Sequence, residues 1–232
     1  MVEVLVENKN IFLFAVQRSG TTAFIQNTVK LNNNLVDYSY ALQYRKGRKV
    51  VLDNSGLPFP IQSGNTKIRF PPDNEYKNIF NTIEHFNKQN IFYICKVLLN
   101  HNNVNNILNN SSVIKNSKKI ILWRHPFDII LSMLAVKSPN GCWYGANEYT
   151  DYDELSINVA EFEKMFKRYI DVSNNLVELY QSNPDDFTLY NYDNLTFEFA
   201  DTVKQRTPEY NEAVYKNTNI LENYRKHIKL PF

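Results

Sequence analysis

Cysteine is scarce in this chain: Cys95 and Cys142 are the 2 in its 232 residues. They form neither a metal-binding spacing nor a disulfide framework, so reduced, partly buried thiols are the expectation, which favours a cytoplasmic protein. An excess of one charge is missing too. Lys and Arg number 26 against 24 Asp and Glu, a formal net charge of +2. That balance argues against nucleic-acid binding through bulk electrostatics, so any anion site must be local. No window is apolar enough for a membrane span. The first ten residues, MVEVLVENKN, carry acids and amides where a secretory leader needs a basic start and a sustained apolar core.

What is present is the composition of a globular α/β protein: 43% hydrophobic, 22% charged and 14% aromatic. The core is well supplied, and the length suits one domain over residues 1–232. Asparagine crowds several stretches, such as Asn102, Asn103, Asn105 and Asn106. That reads as the coding bias of an AT-rich bacterial or viral genome.

The chain is organised around residues 11–28, IFLFAVQRSGTTAFIQNT. The apolar run 11–16 predicts a buried strand, and Ala23, Phe24, Ile25 and Val29 predict a helix. Between them lies Gln17-Arg18-Ser19-Gly20-Thr21-Thr22. A strand, a small-residue turn and a helix N-terminus make an anion site, because first-turn N–H groups lack intrahelical partners and the helix dipole favours negative charge. Gly20 lets the backbone approach a ligand, Thr21 and Thr22 add hydroxyls, and Arg18 adds a fixed cation. Against the P-loop pattern G-x-x-x-x-G-K-[ST], Ala15 replaces the first Gly and Thr21 replaces the Lys. The missing Lys argues against a nucleotide triphosphatase. A Ser/Thr-rich turn that merely caps a helix is the plainer alternative.

Farther along, 35–42 and 49–53 are expected as short strands, with a basic turn at 45–49 between them. Residues 57–72, with Pro58, Pro60, Pro71 and Pro72, are expected as an irregular excursion. A helix is expected over 74–87 and a second buried strand over 91–99, with His101 just beyond its end. Residues 119–123 predict a third strand, followed by Arg124-His125-Pro126 and an apolar helix over 129–136 that contains Ser132. Pro126 suits that helix's first turn. Residues 138–152 are a Gly- and aromatic-rich loop that could be a lid or could pack as core. A long helix over 153–181, a strand over 186–192 and two helices over 196–232 complete the reading.

R-S-G-T-T resembles the 5′-phosphosulfate loop of the sulfotransferases that use 3′-phosphoadenosine-5′-phosphosulfate (PAPS), P-[KR]-S-G-T-T, with Gln17 in place of the Pro. The spacing of Arg124 and Ser132 after a strand is similar to that family's 3′-phosphate segment. Tyr192-Asp193-Asn194-Leu195 resembles the Y-E-D-L at the end of a later family strand. The three landmarks occur in the family's order across residues 11–195. Two departures stand out: K-T-H is not matched at Lys96-Val97-Leu98, and the C-terminal 3′-phosphate loop of the cytosolic enzymes is absent. The likeness is therefore to the minimal bacterial, viral or carbohydrate-type branch.

The resemblance implies a three-layer α/β fold, a mostly parallel central sheet flanked by helices and P-loop NTPase-like in plan. It implies sulfuryl transfer from PAPS to a hydroxyl or amine of a glycan or small molecule, without a metal. Ser19, Gly20, Thr21 and Thr22 would cradle the 5′-phosphosulfate, and Arg18 would stabilise the departing phosphate. Arg124 and Ser132 would grip the 3′-phosphate. His101 and Asp53 are alternative general bases, each also readable as an exposed loop residue, while His85 and His125 are expected to point elsewhere. Two competing readings are a non-catalytic adenosine bisphosphate-binding module and a degenerate P-loop kinase.

Overall fold

In the first strand, β1 (Ile11–Ala15), every residue is buried. Apolar side chains on both faces of one strand require cover above and below, the situation of a central strand in a parallel sheet. β1 has that place. The computed structural model describes residues 8–38, 44–45, 51–52, 58–59, 68–69, 73–99, 104–109, 112–137, 159–196 and 226–231.

After β1 come α1 (Thr21–Leu31) and β2 (Leu35–Asp37). Four short strands follow: β3 (Tyr44–Arg45), β4 (Val51–Leu52), β5 (Pro58–Phe59) and β6 (Ile68–Arg69). Next are α2 (Asp73–Asn87), β7 (Phe92–Leu98), α3 (Val104–Asn109), α4 (Ser112–Lys115) and β8 (Lys118–Trp123). The series ends with α5 (Pro126–Lys137), α6 (Val159–Ser182), β9 (Phe187–Asn191) and a 3₁₀ turn, Tyr192–Asn194. The main sheet has 5 strands in the order β2-β7-β1-β8-β9, and every pairing is parallel.

Side-chain alternation along β1 divides the core in two. Phe12 and Phe14 face a cluster with Phe80 and Ile83 of α2, Phe127 and Ile130 of α5, and Phe162 and Tyr169 of α6. Ile11, Leu13 and Ala15 face the other cluster, with Phe24 and Ile25 of α1. Helices therefore cover both faces, and the layers are three. The order has a consequence for the site. From β1 the chain runs to one side of the sheet through α1 and later crosses to β8 on the other. The carboxyl end of β1 is thus a topological switch point, where α/β sheets open a crevice.

The main sequence expectations coincide with these elements, while the edges and the middle differ. β2 stops at Asp37, although Tyr38 still donates its N–H to the Ile94 carbonyl at 3.0 Å. β4 does not join the main sheet; it pairs antiparallel with β5, and β3 pairs with β6. Part of the excursion expected over 57–72 is thus strand. Phe59 and Ile68 of that stretch lie in short antiparallel pairs, which need no crossover. Arg45, expected in a turn, lies in β3. Of the helices expected over 196–232, residues 197–225 lie outside the described residues, as does the loop expected over 138–152, while Ile228, expected in the last helix, lies in a non-helical stretch. Among the described residues, no helix is long and apolar enough to cross a membrane.

Cys95 of β7 is buried in the core. Burial pushes its thiol far above the ordinary value of 9.0, and the Asp37 carboxylate adds to the shift. The native state keeps this proton while the unfolded chain releases it near 9.0. Stability contributed by the neutral thiol is complete below that pH and is lost as pH rises through it, at up to about 1.4 kcal/mol per pH unit. Chemical denaturation at pH 8, 9 and 10 should show this decline in the wild type and a shallower one in Cys95→Ala. Parallel declines would assign the alkaline loss to other groups.

Candidate functional site

The turn after β1 is built from two left-handed residues. Ser19 donates its N–H to the Val16 carbonyl at 3.2 Å, and Arg18 and Gly20 have φ of 73° and 79°. A glycine takes that conformation without strain, whereas an arginine does so only when its surroundings hold it. α1 then starts directly, with Phe24 N–H donating to the Gly20 carbonyl at 3.1 Å. No side chain caps this helix, so its first-turn N–H groups keep the donors that a capping residue would occupy. Thr21 is buried and Thr22 exposed. Ser19 is 0% exposed, and its hydroxyl has no hydrogen-bond partner among the described residues. A buried hydroxyl without a partner is costly, and an oxyanion bound in this loop would satisfy it.

The neighbouring strand supplies the second part. β1 and β8 are paired in register, Ala15 opposite Leu122, so Arg124 lies beside the turn. It is 6% exposed, and its Nη1 donates to the Arg18 carbonyl at 3.0 Å. That bond pins the backbone of the left-handed Arg18. Ser132 sits on α5, which starts with Pro126 in its first turn as the sequence predicts. The buried Ser132 hydroxyl accepts from Arg18 Nε at 3.1 Å. The sequence reading places Arg18 at one phosphate and Arg124 with Ser132 at another. The structure links all three through the main chain and side chain of Arg18, with the Arg124 guanidinium brought beside the turn that carries Arg18, a concentration of positive charge that suits an anion.

A third element closes over the turn. The Tyr192 ring, from the 3₁₀ turn after β9, lies against Gly20 so tightly that a Cβ there would fall 1.9 Å from its Cε2. The Arg124 guanidinium carbon lies 4.7 Å from the centroid of the same ring. From sequence, Tyr192 is only part of a landmark; its contacts depend on strand register. Tyr169 of α6 reads as core stripe and is indeed buried. Burial pushes its hydroxyl up, while the positive charges of Arg168 and then Arg18 oppose that shift. The α6 face is therefore within electrostatic reach of Arg18.

Of the other candidates, Asp53 and His101 lie outside the described residues. His85 is exposed in the last turn of α2. His125 turns inward, its Nδ1 accepting from Phe127 N–H at 3.3 Å and its ring edge-on to Trp123 and Phe127. It caps the start of α5. Among the described residues, no group of three or more His, Cys, Asp or Glu side chains is placed to hold a metal ion.

A five-stranded parallel sheet covered by helices on both faces, with a small-residue turn joining its central strand to a helix, defines a P-loop-like α/β fold. No family model and no curated protein matches the chain. Among solved structures, it is similar to thymidylate kinase from Ehrlichia chaffeensis at 14% identity and a TM-score of 0.30, over 92% of this chain and 98% of that one. It is also similar to retinol dehydratase in complex with androsterone and the inactive cofactor PAP, at 15% identity and a TM-score of 0.34, over 96% of this chain and 71% of that one. The assignment of the fold rests on the sheet and the turn themselves.

Gly20→Ala should be severely destabilising. Left-handed backbone alone costs an L-residue roughly 1–2 kcal/mol, and the added methyl also displaces the Tyr192 ring. Urea denaturation should show a loss above that range, whereas a loss within it would mean that the ring yields freely.

Proposed function

We propose that this chain is a sulfotransferase that takes a sulfuryl group from PAPS and delivers it to a hydroxyl or amine of a glycan or small molecule, in the cytoplasm. The observation that carries the reading is the convergence of Arg18, Arg124 and Ser132 on the R-S-G-T-T turn at the carboxyl end of the central strand. The buried, unpartnered Ser19 hydroxyl and the uncapped start of α1 support it.

When bound, PAPS supplies a sulfuryl group activated by its anhydride to phosphate. In this reading the first-turn N–H groups of α1, with Ser19, Gly20, Thr21 and Thr22, hold the 5′-phosphosulfate end. Arg18 would supply fixed positive charge to the bridging oxygen of the departing phosphate, a role with most effect in a site where donors are already fixed. Arg124 and Ser132 hold the 3′-phosphate. The Arg18–Ser132 hydrogen bond would then link the residues that hold the two ends. Asp53 or His101 removes the acceptor proton.

Adenosine 3′,5′-bisphosphate should stabilise the protein without added metal, and more than AMP does. At a ligand concentration of about 100 times Kd the gain is about 2.7 kcal/mol, read as a rise in Tm. Equal shifts with AMP would remove the 3′-phosphate role of Arg124 and Ser132. Stabilisation by ATP with Mg²⁺ alone would favour the kinase reading.

Arg18→Ala should reduce turnover much more than bisphosphate affinity, since its partner charge is fully developed only in the transition state. Removal of one such donor typically costs roughly 2.7–4 kcal/mol in activation energy. Arg124→Ala should act mainly on affinity. Calorimetric binding beside sulfate-transfer rates over an acceptor panel separates the two, and identical profiles would refute this division of roles.

A further inference from the structure

We propose that Tyr192 is a positioning residue of the anion site: its ring, wedged against Gly20, holds the Arg124 guanidinium in place on the turn. The inference rests on the reading of Arg124 as an anion ligand, but its physical core is independent of which anion binds.

Register explains why these residues meet. β8 and β9 run parallel with Trp123 opposite Asn191, so the next residues, Arg124 and Tyr192, leave the sheet side by side. Alternation also places them on one face. Leu122 and Tyr190 both belong to the α1-side cluster, as Tyr192 does, and Arg124 and Tyr192 each follow two residues later. The 3₁₀ turn holds the tyrosine at that point. Asn191 Oδ1 accepts from Asp193 N–H at 3.1 Å, and Leu195 N–H donates to the Tyr192 carbonyl at 3.1 Å. Tyr192 is half-buried, with Leu195 packed beside it against the same cluster.

Two surfaces of the ring are engaged. One part lies on Gly20, the only residue type that leaves room for it. The face receives the Arg124 guanidinium at 4.7 Å from the ring centroid, within the range in which a ring quadrupole attracts a cation. With one nitrogen of Arg124 already committed to the Arg18 carbonyl, the ring fixes a second coordinate of the same group. A long side chain is thereby held before a ligand arrives, and the ring contributes to that order, which removes an ordering cost from binding. Three parallel strand ends, β1, β8 and β9, thereby act on one charge.

The aromatic face is the active feature, so the phenol hydroxyl is dispensable and the ring is not. The experiment compares wild type, Tyr192→Phe and Tyr192→Leu in two ways. In the ligand-free protein labelled with ¹⁵N-arginine, the Arg124 Nε–H resonance is identified by its loss in Arg124→Lys. It should carry a ring-current shift in wild type and Tyr192→Phe, and lose it in Tyr192→Leu. Adenosine 3′,5′-bisphosphate affinity should be unchanged in Tyr192→Phe and weakened roughly two- to thirtyfold in Tyr192→Leu, the range that a cation–π contact spans.

Unfolding curves on the same samples keep the result from being one of misfolding. Should Tyr192→Leu prove unfolded, Tyr192→Phe against Tyr192→His, which retains a smaller ring, supplies the comparison with an intermediate shift expected. A ring-current shift that survives the loss of the ring, or a folded Tyr192→Leu protein with wild-type affinity, overturns the proposal. If wild type binds no bisphosphate but the ring-dependent shift is present, Tyr192 still positions Arg124, and the sulfotransferase reading is what fails.

Discussion

The structure depends on the burial of β1 with both of its edges paired. Phe12 and Phe14 on one face and Ile11, Leu13 and Ala15 on the other force helices onto both sides of the sheet. Parallel pairing with β7 and β8 satisfies the backbone of the strand over its whole length. In a parallel sheet the carboxyl ends lie at the same edge, so the turn after β1, the end of β8 and the end of β9 are brought together without any side-chain attraction between them. The charges at the site are a consequence of that alignment.

Once aligned, the local chemistry stabilises a conformation that the turn would not keep by itself. A left-handed arginine is unfavourable in isolation. Here its carbonyl accepts from Arg124 and its own Nε donates to Ser132, so contacts from α5 and from the end of β8 hold it. Strain maintained by surrounding contacts is a common feature of ligand sites, because the group is arranged before the ligand binds. The same turn leaves α1 without a side-chain cap and Ser19 with a buried, unpartnered hydroxyl. These features all become favourable when an oxyanion is present.

Much of the architecture was legible in the residue pattern. The runs 11–16, 91–99 and 119–123 are apolar without alternation, which marks buried parallel strands, and they appear as β1, β7 and β8. Pro126 at the start of α5 and the helical spacing of Phe162, Met165, Phe166 and Tyr169 were equally readable. Of the short strands, β2 and β4 fall within the runs 35–42 and 49–53 read as strands, whereas β3, β5 and β6 were not legible. Those three have two residues each, too few for any periodicity, and their pairing depends on a partner elsewhere in the chain. For the candidate site, the R-S-G-T-T turn and the Arg124–Ser132 spacing were both readable, and the fold brings Arg18, Arg124 and Ser132 together.

The sequence by itself determined the layer plan and the residue types at the loop, since period and turn chemistry are local properties of the chain. Which side chains meet was decided only by tertiary structure. Arg18 and Ser132 are 114 positions apart, and Arg124 and Arg18 are 106 apart; neither distance carries a local signal. The seat of Tyr192 on Gly20 follows from the register of β9 on β8. A slip of one residue in that register would turn the ring to the other face of the sheet. Register is a property of the packed sheet, set by which apolar faces it buries.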